Sequence, residues 1–195
     1  MTPLPRPRVY LAGPEVFLPD AVAVGAEKCR RAAEKGLEGV FPLDAALKLE
    51  GLAPAEQARR ISHANEGLMR SCDALIANLT PFRGASADAG TVFEVGFMRA
   101  LGRPVAGYTN VAPAYADRAR AHRARGPAHA HFDGDRADVQ VEDFGLAENL
   151  MIEIAILSSG CSLVRRDVPP GARLTDLAAF DDCLSIVAGL LAARP

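Results

Sequence analysis

Two acidic residues, Asp88 and Glu94, stand six positions apart in the segment GASADAGTVFEVGFMRALGRPV, residues 84–105. Two carboxylates in different surroundings can divide a reaction, one attacking as a nucleophile and the other exchanging a proton with a leaving group. The segment around them is rich in glycine and then almost continuously apolar, so both acids lie where burial is expected. We therefore take Asp88 and Glu94 as the candidate catalytic pair.

Each acid also has a structural interpretation. Thr91 and Glu94 match the capping box, in which a Thr N-cap is answered by a Glu three residues later, and Asp88 could itself cap a helix. What favours a catalytic role for Glu94 is that the predicted helix around it, 90–101, is apolar on nearly every face. In the first turn of that helix, near the positive end of the dipole, a carboxylate is expected to stay ionised although partly desolvated, as a nucleophile requires.

Strand and helix patterns alternate along the chain. Continuously apolar strands alternating with helices are typical of a parallel sheet that is covered on both faces. We predict an α/β fold, a doubly wound sandwich of about five mostly parallel strands, in one domain spanning residues 1–195. The predicted strands are 8–12, 39–41, 74–79 and 104–109, and the predicted helices are 20–36, 54–71, 90–101, 144–160 and 174–193.

One stretch, 111–141, breaks this rhythm. It is rich in Ala, Arg, His, Pro and Asp and has no apolar period. We expect a mobile loop or an insertion there, in which ADRARAHRA is able to form a short solvated helix.

Polar residues follow the predicted strands. In an open α/β sheet, ligands bind at the carboxyl ends of the strands. Gly13 follows the first strand, Asp44 the second, and Asn78 and Arg83 the third. Convergence at one edge predicts a binding site, although Asn78 could simply satisfy the backbone of a turn. For Arg83, contact with a substrate and bracing of its own loop are equal alternatives.

Composition and motifs exclude several classes of function. The net charge is −2 without a basic stripe, so a large nucleic-acid surface is not expected. No apolar run approaches the roughly 20 residues of a membrane span, and the N-terminus lacks the pattern of a signal peptide. The four cysteines are widely separated, which suits unpaired thiols in a reducing cytoplasm. His129 and His131 have no third ligand at a suitable spacing, and no cofactor fingerprint is present, so neither a metal nor a cofactor is predicted.

A set of short motifs runs from about residue 8 to residue 155. They are Tyr10-Leu11-Ala12-Gly13-Pro14, Pro42-Leu43-Asp44, the helix end from Asn65 to Asp73, ANLTPFRGASADAGTVFEVGF and Asn149-Leu150-Met151. Together they resemble the nucleoside 2-deoxyribosyltransferases, most specifically between Asp88 and Gly96. The resemblance implies a flavodoxin-like fold. It also implies transfer of the 2-deoxyribosyl group of a nucleoside from one purine or pyrimidine base to another, without a cofactor.

The resemblance assigns roles to the catalytic candidates. Glu94 matches the nucleophile that attacks the anomeric carbon and forms a covalent deoxyribosyl-enzyme. Asp88 matches the acid that contacts the base and helps it leave, and Tyr10 matches a tyrosine whose hydroxyl orients the nucleophile. Asn65 falls where the family carries an Asp or Asn near the base.

Other residues complete the expected substrate-binding set. These are Gly13, Asn78 and Arg83, together with Asn149 and Met151. Asn149 matches a residue that a neighbouring subunit contributes to hold the sugar 5′-hydroxyl. The resemblance therefore implies a homo-oligomer whose sites are completed in trans, and a deoxynucleoside and a free base as small-molecule partners. The preferred base stays open.

Two other functions remain as alternatives. The first is a related hydrolase that cleaves the same bond in deoxynucleoside 5′-monophosphates, which would need a phosphate site. Asn149 favours an uncharged 5′-hydroxyl, whereas Arg118, Arg120 and Arg123 would suit a phosphate. The second is a non-enzymatic module that binds a nucleotide-derived ligand, and the paired carboxylates argue against it.

Overall fold

Five parallel strands form a single sheet in the computed structural model, which describes residues 5–44, 47–125 and 138–193. The spatial order is β2-β1-β3-β4-β5. This confirms the predicted α/β fold and places the topological switch point between β1 and β3. His129 and His131 lie outside the described residues. The strands are β1 (Arg8–Ala12), β2 (Glu38–Val40), β3 (Ala74–Asn78), β4 (Val105–Thr109) and β5 (Leu163–Arg165).

Helices cover both faces of the sheet, as predicted. On one face lie α1 and α6, which Arg31 and Asp181 join through an ion pair of 2.7 Å. On the other face α3 packs against α5, with α2 beside α3. The helices are α1 (Ala21–Glu34), α2 (Pro54–Arg70), α3 (Ala89–Ala100), α4 (Tyr115–Arg123), α5 (Leu150–Leu157) and α6 (Ala178–Ala192).

The core lies on the two central strands. Every residue of β3 and β4 is buried, which explains why both read as continuous apolar runs in the sequence. Gly107 of β4 permits the close approach of α5, since a Cβ there would lie 2.7 Å from Ile156 Cδ1 and 2.9 Å from Leu79 Cδ1. The register places Ile76 beside Ala106.

Several elements differ from the sequence predictions. The helix predicted at 144–160 is shorter, because Asn149 caps it and α5 begins only at Leu150. The fifth strand, β5, has only three partly buried or exposed residues, too few for a recognisable pattern. Within 111–141 the alternative of a short helix is confirmed by α4.

Two further expectations concern the whole chain. Within the described ranges, no helix has the length and apolarity needed to cross a membrane. All four cysteines are described, three of them are buried, and none forms a disulfide with another.

Candidate active site

A pocket of about 300 Å³ opens at the switch point of the sheet. Four of the predicted site residues line it: Gly13, Asn65, Asp88 and Glu94. Gly13 follows β1, Asn65 lies on α2, and Glu94 lies on α3, which Asp88 caps. The other lining residues are Val16, Phe17, Pro42, Leu43, Ile61, Gly90 and Thr91. The walls are thus mostly apolar with a few polar groups, which is the usual composition of a small-molecule site.

Tyr10 positions Glu94 through a hydrogen bond. The phenol of Tyr10, on β1 and fully buried, donates a hydrogen bond of 2.7 Å to Glu94 Oε1. Burial and the adjacent Glu94 charge raise the pKa of Tyr10 well above its ordinary value, so the phenol stays protonated and remains a donor. Glu94 Oε2 accepts no hydrogen bond from the described residues, which leaves it available to a ligand.

The charge state of Glu94 differs from the sequence expectation. Because α3 begins at Ala89, Glu94 is its sixth residue and lies beyond the first turn. Burial raises the pKa of Glu94 to about 7 and the Asp88 charge adds to this, while the Tyr10 hydrogen bond and the Lys28 charge lower it. The expected help from the helix dipole fades beyond the first turn, so desolvation dominates and the pKa of the carboxyl lies well above its ordinary value.

Asp88 is the N-cap of α3. Its Oδ2 accepts hydrogen bonds from Thr91 N at 3.1 Å and Thr91 Oγ1 at 3.4 Å. The capping role suggested for Asp88 is confirmed, whereas the capping box of Thr91 and Glu94 is wrong, because Thr91 is the third residue of the helix. The cap uses one carboxylate oxygen only. A helix cap and a pocket acid are therefore compatible, and the cap fixes where the acid points.

Asn78 lies outside this pocket. Its side chain is fully buried, donates to Glu15 Oε1 at 3.0 Å and accepts from Thr80 N at 3.0 Å. Of the two roles considered from the sequence, the geometry matches the one in which Asn78 satisfies the turn after β3.

Sequence reasoning missed the buried carboxylate to which Asn78 binds. Glu15 Oε1 accepts from Lys28 Nζ at 2.8 Å and from the Tyr108 hydroxyl at 3.0 Å, and the side chains of Glu15 and Lys28 are both fully buried. Three donors thus converge on Oε1, while the buried Oε2 of Glu15 has no hydrogen-bond partner among the described residues. The signal was available in α1, where Lys28 lies on the helical face of the buried Ala21, Gly25 and Ala32.

Gly13 lines the pocket, and the buried side chains of Glu15 and Asn78 leave room only for glycine at this position. A Cβ at Gly13 would lie 1.9 Å from Glu15 Oε2 and 2.9 Å from Asn78 Cβ. No other residue fits without moving the Glu15 carboxylate. The predicted role of Gly13 in substrate binding thus rests on close approach of the backbone to the pocket.

Arg83 braces an aromatic stack at the rim. Its Cζ lies 4.6 Å from the centroids of both Phe17 and Phe82, whose rings stack at 5.5 Å with an interplanar angle of 8°. Arg83 adopts a left-handed backbone conformation, φ 57°. Since Phe17 lines the pocket, the geometry gives Arg83 a bracing contact with the pocket wall.

Asn149 and Met151 lie away from the pocket of their own chain. Asn149 caps α5 by accepting from Met151 N at 3.0 Å, and its Nδ2 donates to Glu142 Oε2 at 2.9 Å. The Met151 side chain is 73% exposed. Their predicted role, to complete the site of a neighbouring subunit, stays a prediction.

The three arginines considered for a phosphate are used elsewhere. Arg118 forms a largely buried ion pair with Glu148 at 2.9 Å, Arg120 pairs with Asp143 at 2.7 Å, and Arg123 donates to the carbonyl of Val139. None of the three lines the pocket. The described part of the chain also contains no cluster of His, Cys, Asp and Glu suited to a metal ion.

The sequence of this chain matches the family model of the nucleoside 2-deoxyribosyltransferases over residues 9–151. The chain belongs to the nucleoside 2-deoxyribosyltransferase family. The matched span of this family member begins in β1 and ends in α5. It includes all nine predicted site residues, from Tyr10 to Met151.

Three known proteins are similar to this chain in sequence or in structure. An uncharacterised protein of Schizosaccharomyces pombe is 35% identical over 168 residues, which cover 79% of each chain. A solved 2-desoxiribosyltransferase from Leishmania mexicana is 29% identical, with a TM-score of 0.58 over 75% of this chain and 85% of that chain. A conserved protein from Enterococcus faecalis shares the fold at 19% identity, with a TM-score of 0.56 over 95% of this chain and 99% of that chain.

Proposed function

We propose that this chain is a nucleoside 2-deoxyribosyltransferase that exchanges the base of a 2′-deoxynucleoside through a covalent deoxyribosyl ester on Glu94. The observation that carries the proposal is the meeting of Glu94, bonded to Tyr10, and the capping acid Asp88 in one small pocket. Family membership supports the reaction class.

The first half-reaction uses both carboxyl groups. Glu94 Oε2 attacks the anomeric carbon as the bond from that carbon to the base nitrogen breaks, and the electron pair leaves with the base. Asp88 hydrogen-bonds to the departing base and relays to it a proton taken up from solvent. The developing positive charge on the sugar lies against the Glu94 carboxylate, which stabilises the transition state.

The second half-reaction reverses the first with a new base. The incoming base loses a proton through Asp88 to solvent and attacks the anomeric carbon, and the ester bond to Glu94 breaks. Two displacements at one carbon give net retention of configuration. Both carboxyl groups return to their starting states, so donor, acceptor and enzyme balance the reaction without a further reactant.

The buried environment of Glu94 suits a nucleophile whose negative charge is neutralised when the ester forms. Burial disfavours the free carboxylate, as the pKa of about 7 indicates. Formation of the neutral ester removes that buried charge, so part of the desolvation cost is relieved along the reaction. Tyr10 meanwhile holds Oε1 and leaves Oε2 to attack.

The pocket lining supports an uncharged sugar 5′-hydroxyl. Among the described residues that line it there is no Lys, Arg or His, and Asp88 and Glu94 are its ionisable groups. A 5′-phosphate would meet two acids and no cation, which is unfavourable. Deoxynucleosides are therefore preferred to deoxynucleoside monophosphates.

A 2-deoxy sugar is preferred for two reasons. It lacks the electron-withdrawing hydroxyl that destabilises a cationic transition state, and a ribose would have to fit its extra hydroxyl beside Glu94. Turnover of adenosine as fast as that of deoxyadenosine would contradict this preference.

We further propose a homo-oligomer in which Asn149 and Met151 complete a neighbouring site. On α5, Met151, Ile154 and Leu157 are 73%, 46% and 48% exposed and follow one another at three-residue spacing. Such a row of exposed apolar side chains is typical of a surface that a partner covers.

The test is chromatographic. Purified protein is incubated with deoxyinosine, with and without adenine, beside a Glu94→Gln variant that keeps the side-chain shape. We expect deoxyadenosine only when adenine is present and only with the wild type. If neither deoxyinosine nor thymidine yields an exchanged nucleoside, the transferase is excluded. Release of free base from a deoxynucleoside monophosphate in water would instead identify the hydrolase.

A further inference from the structure

A second pocket, of about 450 Å³, lies at the carboxyl ends of β3 and β4. It shares no lining residue with the pocket that contains Glu94. The segment after β3 contributes Thr80 and Pro81, α4 and the residues just after it contribute Arg118 and Arg125, and the segment before α6 contributes Arg173 and Leu174. We call it the arginine pocket.

The arginine pocket is strongly cationic. Three arginines and one histidine line it, and no Asp or Glu is among the described lining residues. Arg118 is already neutralised, because it pairs with Glu148 and donates to the carbonyls of Ala85 and Ala147. Its role is structural, so the excess charge comes from the other two arginines.

Arg125 and Arg173 form no ion pair with any carboxylate in the described part of the chain. Arg173 donates through Nε to the carbonyl of Val168 at 3.0 Å, which orients its guanidinium and leaves the terminal amino groups available. Arg166, by contrast, pairs with Asp182 at 2.6 Å. Two guanidinium groups facing one cavity repel each other unless an anion lies between them.

The remaining walls are apolar. Pro81, Val111 and Leu174 line the pocket together with the polar groups. A cavity of this size falls in the range that holds small ligands, about 300–1,000 Å³. A lining that combines guanidinium groups with apolar side chains suits a molecule with a phosphate and a flat or aliphatic body, since guanidinium groups bind phosphate oxygens in pairs.

We propose that the arginine pocket binds a phosphate-bearing ligand of mononucleotide size, with Arg125 and Arg173 on the phosphate. The site is separate from the pocket of Glu94, where no cation is among the described lining residues, so a phosphate is expected to favour the arginine pocket. Pro81 and Ala85 belong to the segment that leads from β3 to Asp88. A ligand bound there contacts the connection that carries the candidate acid.

The test is isothermal titration calorimetry of the full chain with adenosine 5′-monophosphate as the probe. We expect saturable binding that weakens as salt is raised. Arg173→Gln and Arg125→Gln should each weaken it about tenfold, the loss expected for one charge-assisted contact. The matched control is Arg166→Gln, an arginine outside the pocket, which should bind as the wild type does.

Several results would overturn the proposal. They are the absence of binding at millimolar probe, wild-type affinity in both pocket variants, or an equal loss in Arg166→Gln. If Arg173→Gln fails to fold, Arg125→Gln decides alone, because its side chain is exposed. Binding is measured without turnover, so an inactive protein that still binds the probe would reject the proposed reaction and keep this site.

Discussion

Tyr10 and Glu94 are 84 positions apart in the sequence, and their side chains meet in a hydrogen bond of 2.7 Å between the central sheet and α3. The bond joins a phenol that burial keeps protonated to a carboxyl whose pKa is about 7. It holds one oxygen of the candidate nucleophile and leaves the other to the pocket. The proposed chemistry depends on this relationship, and the first two predictions address it.

Tyr10→Phe should reduce kcat for base exchange by about 10- to 100-fold, the value of a hydrogen bond to a charged group. The pKa of Glu94 should also rise, since the lost bond is one of the contacts that lower it. The pH profile of kcat measures both effects. An unchanged profile would show that the phenol does not orient the nucleophile.

Activity should depend on the ionisation of Glu94. With a pKa of about 7, kcat/KM should rise about tenfold per pH unit below 7 and level off above it, since only the carboxylate attacks. Initial rates of deoxyinosine and adenine exchange between pH 5 and 9 measure this. A plateau already reached at pH 5.5 would mean that the nucleophile has an ordinary carboxyl pKa.

The same shift has a consequence for stability. The folded-state pKa of Glu94 lies above the unfolded value of 4.5, so the folded protein holds this proton more tightly. The resulting stability is fully present below pH 4.5 and is lost as the pH rises through 7. Between pH 4 and 8, the free energy of unfolding of the wild type should fall relative to Glu94→Gln by about 3 kcal/mol. Urea unfolding of both proteins tests this, and parallel pH profiles would contradict it.

Gly13→Ala should destabilise the protein by about 1–3 kcal/mol, because the new Cβ collides with the Glu15 carboxylate. The matched control is Gly67→Ala in α2, where a Cβ meets nothing within 4 Å. That change should be neutral or stabilise by about 0.5–1 kcal/mol through helix propensity. Thermal unfolding of the two variants compares them directly, and equal effects would argue against the collision.

Completion of the site in trans predicts complementation between inactive subunits. Glu94→Gln and Asn149→Ala should each be nearly inactive as homo-oligomers. Co-expressed, they should regain about a quarter of wild-type activity if dimers assort at random, because half are mixed and each mixed dimer has one intact site. No recovery in a mixed oligomer verified by mass spectrometry would place Asn149 in the site of its own chain, or in none.

The long-range features that the sequence predicted correctly are those with a repeating local signal. Continuous apolar runs such as 74–79 indicated a parallel sheet, because strands covered on both faces need no polar alternation. The position of polar residues after these strands indicated one ligand edge, since parallel strands end together. The pair Asp88 and Glu94 was identified from spacing and from the apolar helix around it.

The sequence pattern did not predict the short strand β5 or the start of α5. β5 has three residues and pairs only with β4, so its identity as a strand depends on the neighbouring backbone. The helix predicted from 144 begins instead at Leu150, because Asn149 satisfies the first backbone amides there. Both outcomes follow from hydrogen bonds that an apolar pattern does not encode.

The sequence by itself therefore determined the class of fold and indicated the sheet edge and the two acids that line the candidate pocket, because each depends on periodicity or on spacing within one segment. Only the tertiary structure decided the charge state of Glu94, which is set by burial and by Tyr10. It also decided the buried contact of Glu15 with Lys28 beneath Gly13. These depend on distances and desolvation between segments that the chain separates, and the electrostatic energy of a side chain is set by its neighbours in space.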